Sequence, residues 1–333
     1  AKVNATSASE AVGVDLGGGD DHLINSGQLT ATADASASAL NVAIGMPQDS
    51  SSSGSTTATP KIKATADGSA EARSRAIGLS ADGVAGDTAR DAELSIGGDG
   101  LSLLAHQSEI RSSGKDVVIN LGGITATSNA TTEALGLGIS IDGKASAKVS
   151  ASSEARAIAI DLGGGDDIIE SAGQLTATAE SRASALNVAI GLPQDASSET
   201  SKTNTIAKSD VTAQATAIGL AADGHESRTT DVSVGIGIDE GLTIAVAKTT
   251  TDASGADQVV NHGSIDATAI SDALSASVAF VAKKGIAATV SNVESQAQAT
   301  AIQGGDDDDD IYNDGDLITN AEATAVAAAV SIA

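Results

Sequence analysis

The chain has 333 residues with 44 acidic and 18 basic side chains, a formal net charge of −26, one Phe, one Tyr, one Met, no Trp and no Cys. That balance excludes nucleic acid and anionic membranes as partners and favours a surface that gathers cations, while the missing Cys excludes disulfides and thiolate metal sites. No apolar run reaches about 18 residues, so no transmembrane helix is expected, and one Tyr with one Phe cannot build the aromatic girdles of a membrane barrel.

Residues 1–15, AKVNATSASEAVGVD, match AKVSASSEARAIAID at 147–161, so the chain starts inside a repeat. It reads as a section of a longer exported protein whose signal and anchor lie elsewhere. Next comes GGDDHLINSGQLTATA, whose phrase D-x-apolar-x-N-x-G-x-Leu/Ile begins at Asp21 and returns at Asp116, Asp167, Asp257 and Asp309. The spacings are 95, 51, 90 and 52, a long step alternating with a short one. Segments 15–49 and 161–195 agree at 26 of 35 positions. A large repeat of 141 to 146 residues follows, predicting a first repeat at 1–146, a second at 147–288 and a partial third at 289–333.

Between the motifs, small or apolar residues alternate with polar ones at period two, as in QLTATADASASALNVAIG from Gln28. That period, with abundant Thr, Val and Ile, predicts long strands in spite of the Ala content that would otherwise favour helix. Large side chains are nearly absent, so the interior must be thin and Ala-rich. Leu29 and the alanines from Ala31 to Ala39 share one phase, whereas Leu40, Val42 and Ile44 take the other; similar switches occur in SRAIGLS (74–80), ARAIAID (155–161) and ATAIGLA (215–221). Because a one-residue slip exchanges faces, a bend or bulge is predicted at each switch, keeping both sets inward. The Pro- and Ser-rich stretches after Pro47 and Pro193 predict exposed loops. SIGGDGLSLL (95–104) and GIGIDEGLTIAV (235–246) predict added hairpins or short coils.

The expected fold is all-β: an elongated β-solenoid, parallel β-helix-like, with long Ala-rich strands and Gly/Asp turns. A long-stranded antiparallel β-sandwich is the alternative, because alternation and turns do not fix which strands pair.

The segments DHLINSGQLTATA, DVVINLGGITATS and DQVVNHGSIDATA resemble the N-x-G-x-I phrasing of large bacterial parallel β-helix surface proteins of the adhesin and autotransporter-passenger group. In that group the Asn and Gly shape a tight turn; the matching positions here are Asn25 and Gly27, Asn120 and Gly122, Asn261 and Gly263, and Asn313 and Gly315, with Ser171 departing beside Gly173. The resemblance implies an extracellular, cell-surface structural segment, a stalk or fibre serving adhesion, biofilm matrix or an extracellular filament. Its expected partners are neighbouring repeats or copies of itself, end to end or side by side, and a cell-surface or glycan receptor.

A partial resemblance to secreted calcium-binding nonapeptide repeats rests on G-x-D-x-apolar at Gly19–Leu23, Gly114–Val118, Gly165–Ile169 and Gly255–Val259. It implies Ca²⁺ held by hard oxygen ligands, with Asp20, Asp21, Asp166, Asp167, Asp306, Asp307, Asp308 and Asp309 as candidate ligands. Thr30 with Thr32, Thr125 with Thr127 and Thr176 with Thr178 form T-A-T triplets that resemble the threonine ladders of ice-binding solenoids. A Ca²⁺-stabilised ligand-binding or ice-binding adhesin module is thus the alternative function. The four His, at 22, 106, 225 and 262, lack metal-site spacing, and neither a nucleophile elbow nor a phosphate loop is present. No enzyme activity is expected.

Overall fold

The computed structural model describes residues 1–46, 62–81, 90–96, 101–107, 114–141, 143–192, 203–223, 229–236, 242–249, 255–282, 285–305 and 308–333. Five coils stack on one another. Coil 1 comprises β1 (Lys2–Asp15), β2 (His22–Asn25) and β3 (Leu29–Gly45). Coil 2 runs through β4 (Ile62–Ser80), a hairpin of β5 (Arg90–Ile96) and β6 (Leu101–Gln107), then β7 (Val117–Asn120) and β8 (Ile124–Ile141). Coil 3 is β9 (Gly143–Asp161), β10 (Ile168–Ser171) and β11 (Leu175–Leu192). Coil 4 repeats the long form with β12 (Thr203–Ala221), a hairpin of β13 (Thr229–Ile236) and β14 (Leu242–Thr249), then β15 (Gln258–Asn261) and β16 (Ile265–Val281). Coil 5 is β17 (Gly285–Gln303), β18 (Asp310–Asn313) and β19 (Leu317–Ile332).

Each coil gives one long strand to a first sheet, β1-β4-β9-β12-β17, one four-residue strand to a corner sheet, β18-β15-β10-β7-β2, and one long strand to a second sheet, β19-β16-β11-β8-β3. All pairs in these three sheets are parallel and in register. This is the parallel β-solenoid. The antiparallel sandwich is overturned: each coil passes through the three sheets in the same order, so every strand re-enters its sheet in the same direction. Among the described residues antiparallel pairing is confined to a fourth sheet, β14-β13-β6-β5, where the hairpins of coils 2 and 4 pair with each other although coil 3 separates them in sequence. The predicted hairpins are therefore real and belong together.

Two coils make one large repeat, so the alternating spacings of the Asp motif are the rung-to-rung offsets of the corner. Five rungs at about 4.8 Å rise about 24 Å, whereas a strand of 17 to 19 residues extends about 60 Å. This segment alone is broader than it is tall, and only further coils would make it long.

The two long sheets face each other, and their inward positions are almost all small. Ala31, Ala33, Ala35, Ala126, Ala177, Ala267 and their counterparts Ala70, Ala72, Ala151 and Ala213 are buried in one continuous core. A buried methyl contributes about 0.8 kcal/mol, and polar stitches supplement it. Ser74 Oγ donates to the Ala33 carbonyl across the core (2.7 Å), Ser153 Oγ to Ala130 (2.8 Å) and Ser271 Oγ to Ala213 (2.8 Å). Asn187 Nδ2 donates to the carbonyls of Ala147 (2.7 Å) and Lys208 (2.6 Å). Only short side chains let a hydroxyl on one sheet reach a main-chain oxygen on the other.

The predicted phase switches divide by sheet. In the first sheet, pairing skips the row Gly13, Gly78, Ala159, Gly219 and Ala301. Past this kink Leu79, Ile160 and Leu220 turn into the main core, while Ile77, Ile158 and Ile218 form a separate buried cluster. In the second sheet no kink occurs. β3 continues in phase, Asn41 points inward, and Leu40 and Ile44 stay 61 % and 58 % exposed. The expected inward turn of Leu40, Val42 and Ile44 is thereby corrected: the inward sites beside them are taken by Asn41 and Ala43, and no residue is skipped.

The stacked acidic corner as candidate functional site

The five motif copies meet at the corner between the first sheet and the corner sheet, one above another. Each carboxylate reaches back one coil to a main-chain amide. The N–H of Asp21 donates to Asp116 Oδ1 (2.8 Å), that of Asp116 to Asp167 Oδ1 (2.8 Å), that of Asp167 to Asp257 Oδ1 (2.8 Å) and that of Asp257 to Asp309 Oδ1 (3.1 Å). An outer set bonds in the opposite sense: Asp20 Oδ1 accepts from Lys115 N–H (3.0 Å) and Asp166 Oδ1 from Ala256 N–H (3.1 Å). Successive turns are thus tied in both directions.

Asp116, Asp167 and Asp257 are fully buried, and the Oδ2 atoms of Asp116 and Asp257 are buried with no hydrogen-bond partner among the described residues. Desolvation raises the pKa of both groups. For Asp116 the amide of Asp21 opposes the rise, while the charges of Asp21 and Asp20 add to it. Asp257 is pushed up to about 7 by burial first, opposed by the Asp167 amide and helped by the negative charges of Asp223, Asp309 and Asp166. A column of like charges would repel itself; here main-chain amide donors offset the repulsion, and burial favours the neutral forms of Asp116 and Asp257.

Of the candidate ligands, Asp20, Asp21, Asp166, Asp167 and Asp309 line this corner, Asp308 lies just before it, and Asp306 and Asp307 fall outside the described residues. Among the described residues no group of three or more His, Cys, Asp or Glu side chains is placed to hold a metal ion.

Beside the acids runs an amide ladder. Asn25 Nδ2 donates to Asn120 Oδ1 (2.8 Å), Asn120 Nδ2 to Ser171 Oγ (3.1 Å) and Asn261 Nδ2 to Asn313 Oδ1 (2.7 Å). Ser171, the exception to the motif, still accepts its place in the ladder. The Asn side chains also hold their own turn, as Asn25 Oδ1 accepts from Gly27 N–H at 3.2 Å.

The glycines of the phrase serve close contact between coils, not a left-handed backbone. Positive φ occurs at Gly17, Gly19, Gly163, Gly165 and Gly305, in the acidic turn. At Gly122, Gly173, Gly263 and Gly315 a Cβ would instead collide with the carbonyl oxygen of the glycine one coil earlier. These residues are glycine because the coils touch there.

Sequence comparison among copies missed a contact in the last one. His262 Nδ1 lies 2.6 Å from Asp314 Oδ1, and its ring meets Tyr312 edge-on with centroids 6.0 Å apart. Both partners sit one coil on, and nothing in the local motif marks them. The threonine triplets do fall into register on the outer face of the second sheet: Thr30, Thr125 and Thr176 form one column, and Thr32, Thr127, Thr178 and Thr268 the next. Asp266 and Ile318 interrupt the first and Asn320 ends the second.

Comparison with protein-family models, with curated proteins and with solved structures returns no match for this chain.

Proposed function

We propose that the chain is a non-catalytic structural segment, a stalk or fibre section of a large exported bacterial surface protein, lengthened by stacking coil upon coil. The observation that carries this reading is the repetition itself: each coil passes through the same three sheets and lays its strands in parallel register on the coil before, so one coil is a template for the next. The acidic corner and the amide ladder supply registers that a further coil would continue.

Gly27 provides the test. Every later member of its column faces a carbonyl of the coil before it, whereas no atom of another coil lies within 4 Å of a Cβ at Gly27. Gly27→Ala is therefore expected to leave the melting temperature of the isolated chain within about 1 °C while abolishing end-to-end assembly seen by electron microscopy, because the added methyl meets Gly315 of an incoming copy. Discrete particles from the unaltered protein, or filaments unaffected by the substitution, would oppose the reading. A glycan array then separates a passive spacer from an adhesive module.

Calcium stabilisation is the competing use of the acidic corner. With the carboxylates already engaged by main-chain amides, excess chelator is expected to leave the unfolding midpoint unchanged; a fall of several degrees on chelation, reversed by Ca²⁺, would favour the Ca²⁺-stabilised module instead.

A further inference from the structure

The outer face of the second sheet is divided along the strand direction. Its first half carries the threonine columns and the charged residues Asp34, Glu133, Glu180, Asp266, Asp272 and Glu322, with Arg182 as the basic exception. Its second half carries no charge at all. Because β3 and its partners run on without a kink, three outward columns there are entirely apolar. One is Leu40, Leu135, Leu186, Ala276 and Ala328; the central one is Val42, Leu137, Val188, Val278 and Val330; the third is Ile44, Ile139, Ile190, Phe280 and Ile332. The single Phe of the chain lies in this patch.

We infer that this patch is a lateral interface with a second copy of the chain, the two solenoids lying side by side and pointing the same way. The inference rests on the structural reading above and adds to it how stacked chains associate in pairs.

Three arguments select this occupant. Fifteen positions on a grid of about 4.8 Å by about 6.8 Å cover on the order of 500 Å² per copy, hence about 1,000 Å² for a pair, the lower limit of a specific interface. Each additional coil enlarges it by the same increment, so the interface grows with the stack. Second, the surface is a flat, regular grid, so an identical grid offers ridges of the same spacing. Third, charge fixes the orientation. A two-fold axis parallel to the solenoid axis lays apolar half on apolar half and carries the acidic halves of the two copies to opposite sides. An axis along the strands would set the acidic halves face to face. A lipid surface is the less suitable occupant, because a chain of net charge −26 is repelled by anionic headgroups.

A chain without cysteine permits a clean test. With the axis running along the central column, each of its residues lies next to its own counterpart, so Val42→Cys and Val278→Cys each form a disulfide-linked dimer with themselves under mild oxidation. In the opposed orientation Val42 would meet Val330 of the other copy, and neither single variant would cross-link. The unaltered chain is expected to pass from monomer to dimer across two decades of concentration in sedimentation velocity, more tightly in high salt as the acidic surfaces are screened. Val188→Lys, outward and away from the core, weakens that association by more than about 100-fold with strand content unchanged by circular dichroism; Thr178→Lys on the polar half leaves it intact. Persistent monomer, absence of self-cross-linking, or binding to neutral phosphatidylcholine vesicles in place of dimerisation would each overturn the interface. Filaments that form without cross-linking would remove this inference and leave the stalk reading standing, whereas cross-linked pairs that never lengthen would do the reverse.

Discussion

Gly173→Ala is expected to unfold the middle of the stack, lowering stability by at least about 4 kcal/mol and the melting temperature by on the order of 10 °C. The reason is main chain against main chain. A Cβ at Gly173 would overlap the Gly122 carbonyl oxygen and come within 2.9 Å of Asn120 Nδ2. No rotamer change relieves a contact between a Cβ and a neighbouring carbonyl; coils 2 and 3 would have to separate. Separation would stretch the bonds from Ala172 N–H and Gly173 N–H to the Asn120 carbonyl (2.8 and 3.2 Å) and the ladder bond from Asn120 to Ser171. Thermal denaturation followed by circular dichroism checks the result. Gly17→Ala is the comparison: φ there is +91° with nothing within 4 Å of a Cβ, so only the left-handed backbone is strained, at about 1 kcal/mol. Equal effects of the two substitutions would refute the assignment of the Gly173 column to coil contact.

The rungs themselves were legible in the chain. Motif spacings of 95, 51, 90 and 52 are the register offsets at Asp21, Asp116, Asp167, Asp257 and Asp309, because a solenoid turns repetition in sequence into adjacency in space. Pairing direction was not legible: alternation at period two is the same for parallel and antiparallel neighbours, and only the order of the sheets within a coil decides it. The two kinds of phase switch were also indistinguishable from residue pattern alone. In SRAIGLS the chain skips Gly78, where a side chain would strike Ile124, and the apolar phase turns inward. In SALNVAIG, Asn41 finds main-chain partners inside, its Nδ2 donating to the carbonyls of Ala1 (3.0 Å) and Asp67 (2.5 Å), so the strand stays in phase and the apolar residues remain outside. The same inward column holds Asn41, Gly136, Asn187 and Ser277, and the whole sheet runs on in phase, leaving Leu40, Val42 and Ile44 at the surface. Residue type alone marks the acidic corner as a set of oxygen ligands; its bonds to main-chain amides one coil away depend on stacking that no single copy displays.

Acid should stabilise the stack. The relevant group is Asp257, buried beside the negative charges of Asp223, Asp309 and Asp166 and held up to about 7 against an ordinary 3.8. A carboxyl whose folded pKa is raised binds its proton more tightly in the folded chain. Its contribution is therefore fully present below about pH 4, is lost as pH rises from about 4 through about 7, and stays lost above that. The linkage spans on the order of 4 kcal/mol, and Asp116, raised for the same reason of burial, acts in the same direction. Urea midpoints are expected to fall between about pH 4.5 and about pH 8 with no change in slope against denaturant. Asp257→Asn keeps an oxygen for the Asp167 amide but cannot ionise. That variant should lose most of the dependence over this range and exceed the parent in stability at about pH 8. A midpoint that rises with pH, or a profile identical in parent and Asp257→Asn, would show that the buried column is not where the fold takes up its protons. Assembly should follow the same trend: every coil added to the stack buries one more member of the column, so each junction between copies should form more readily in acid.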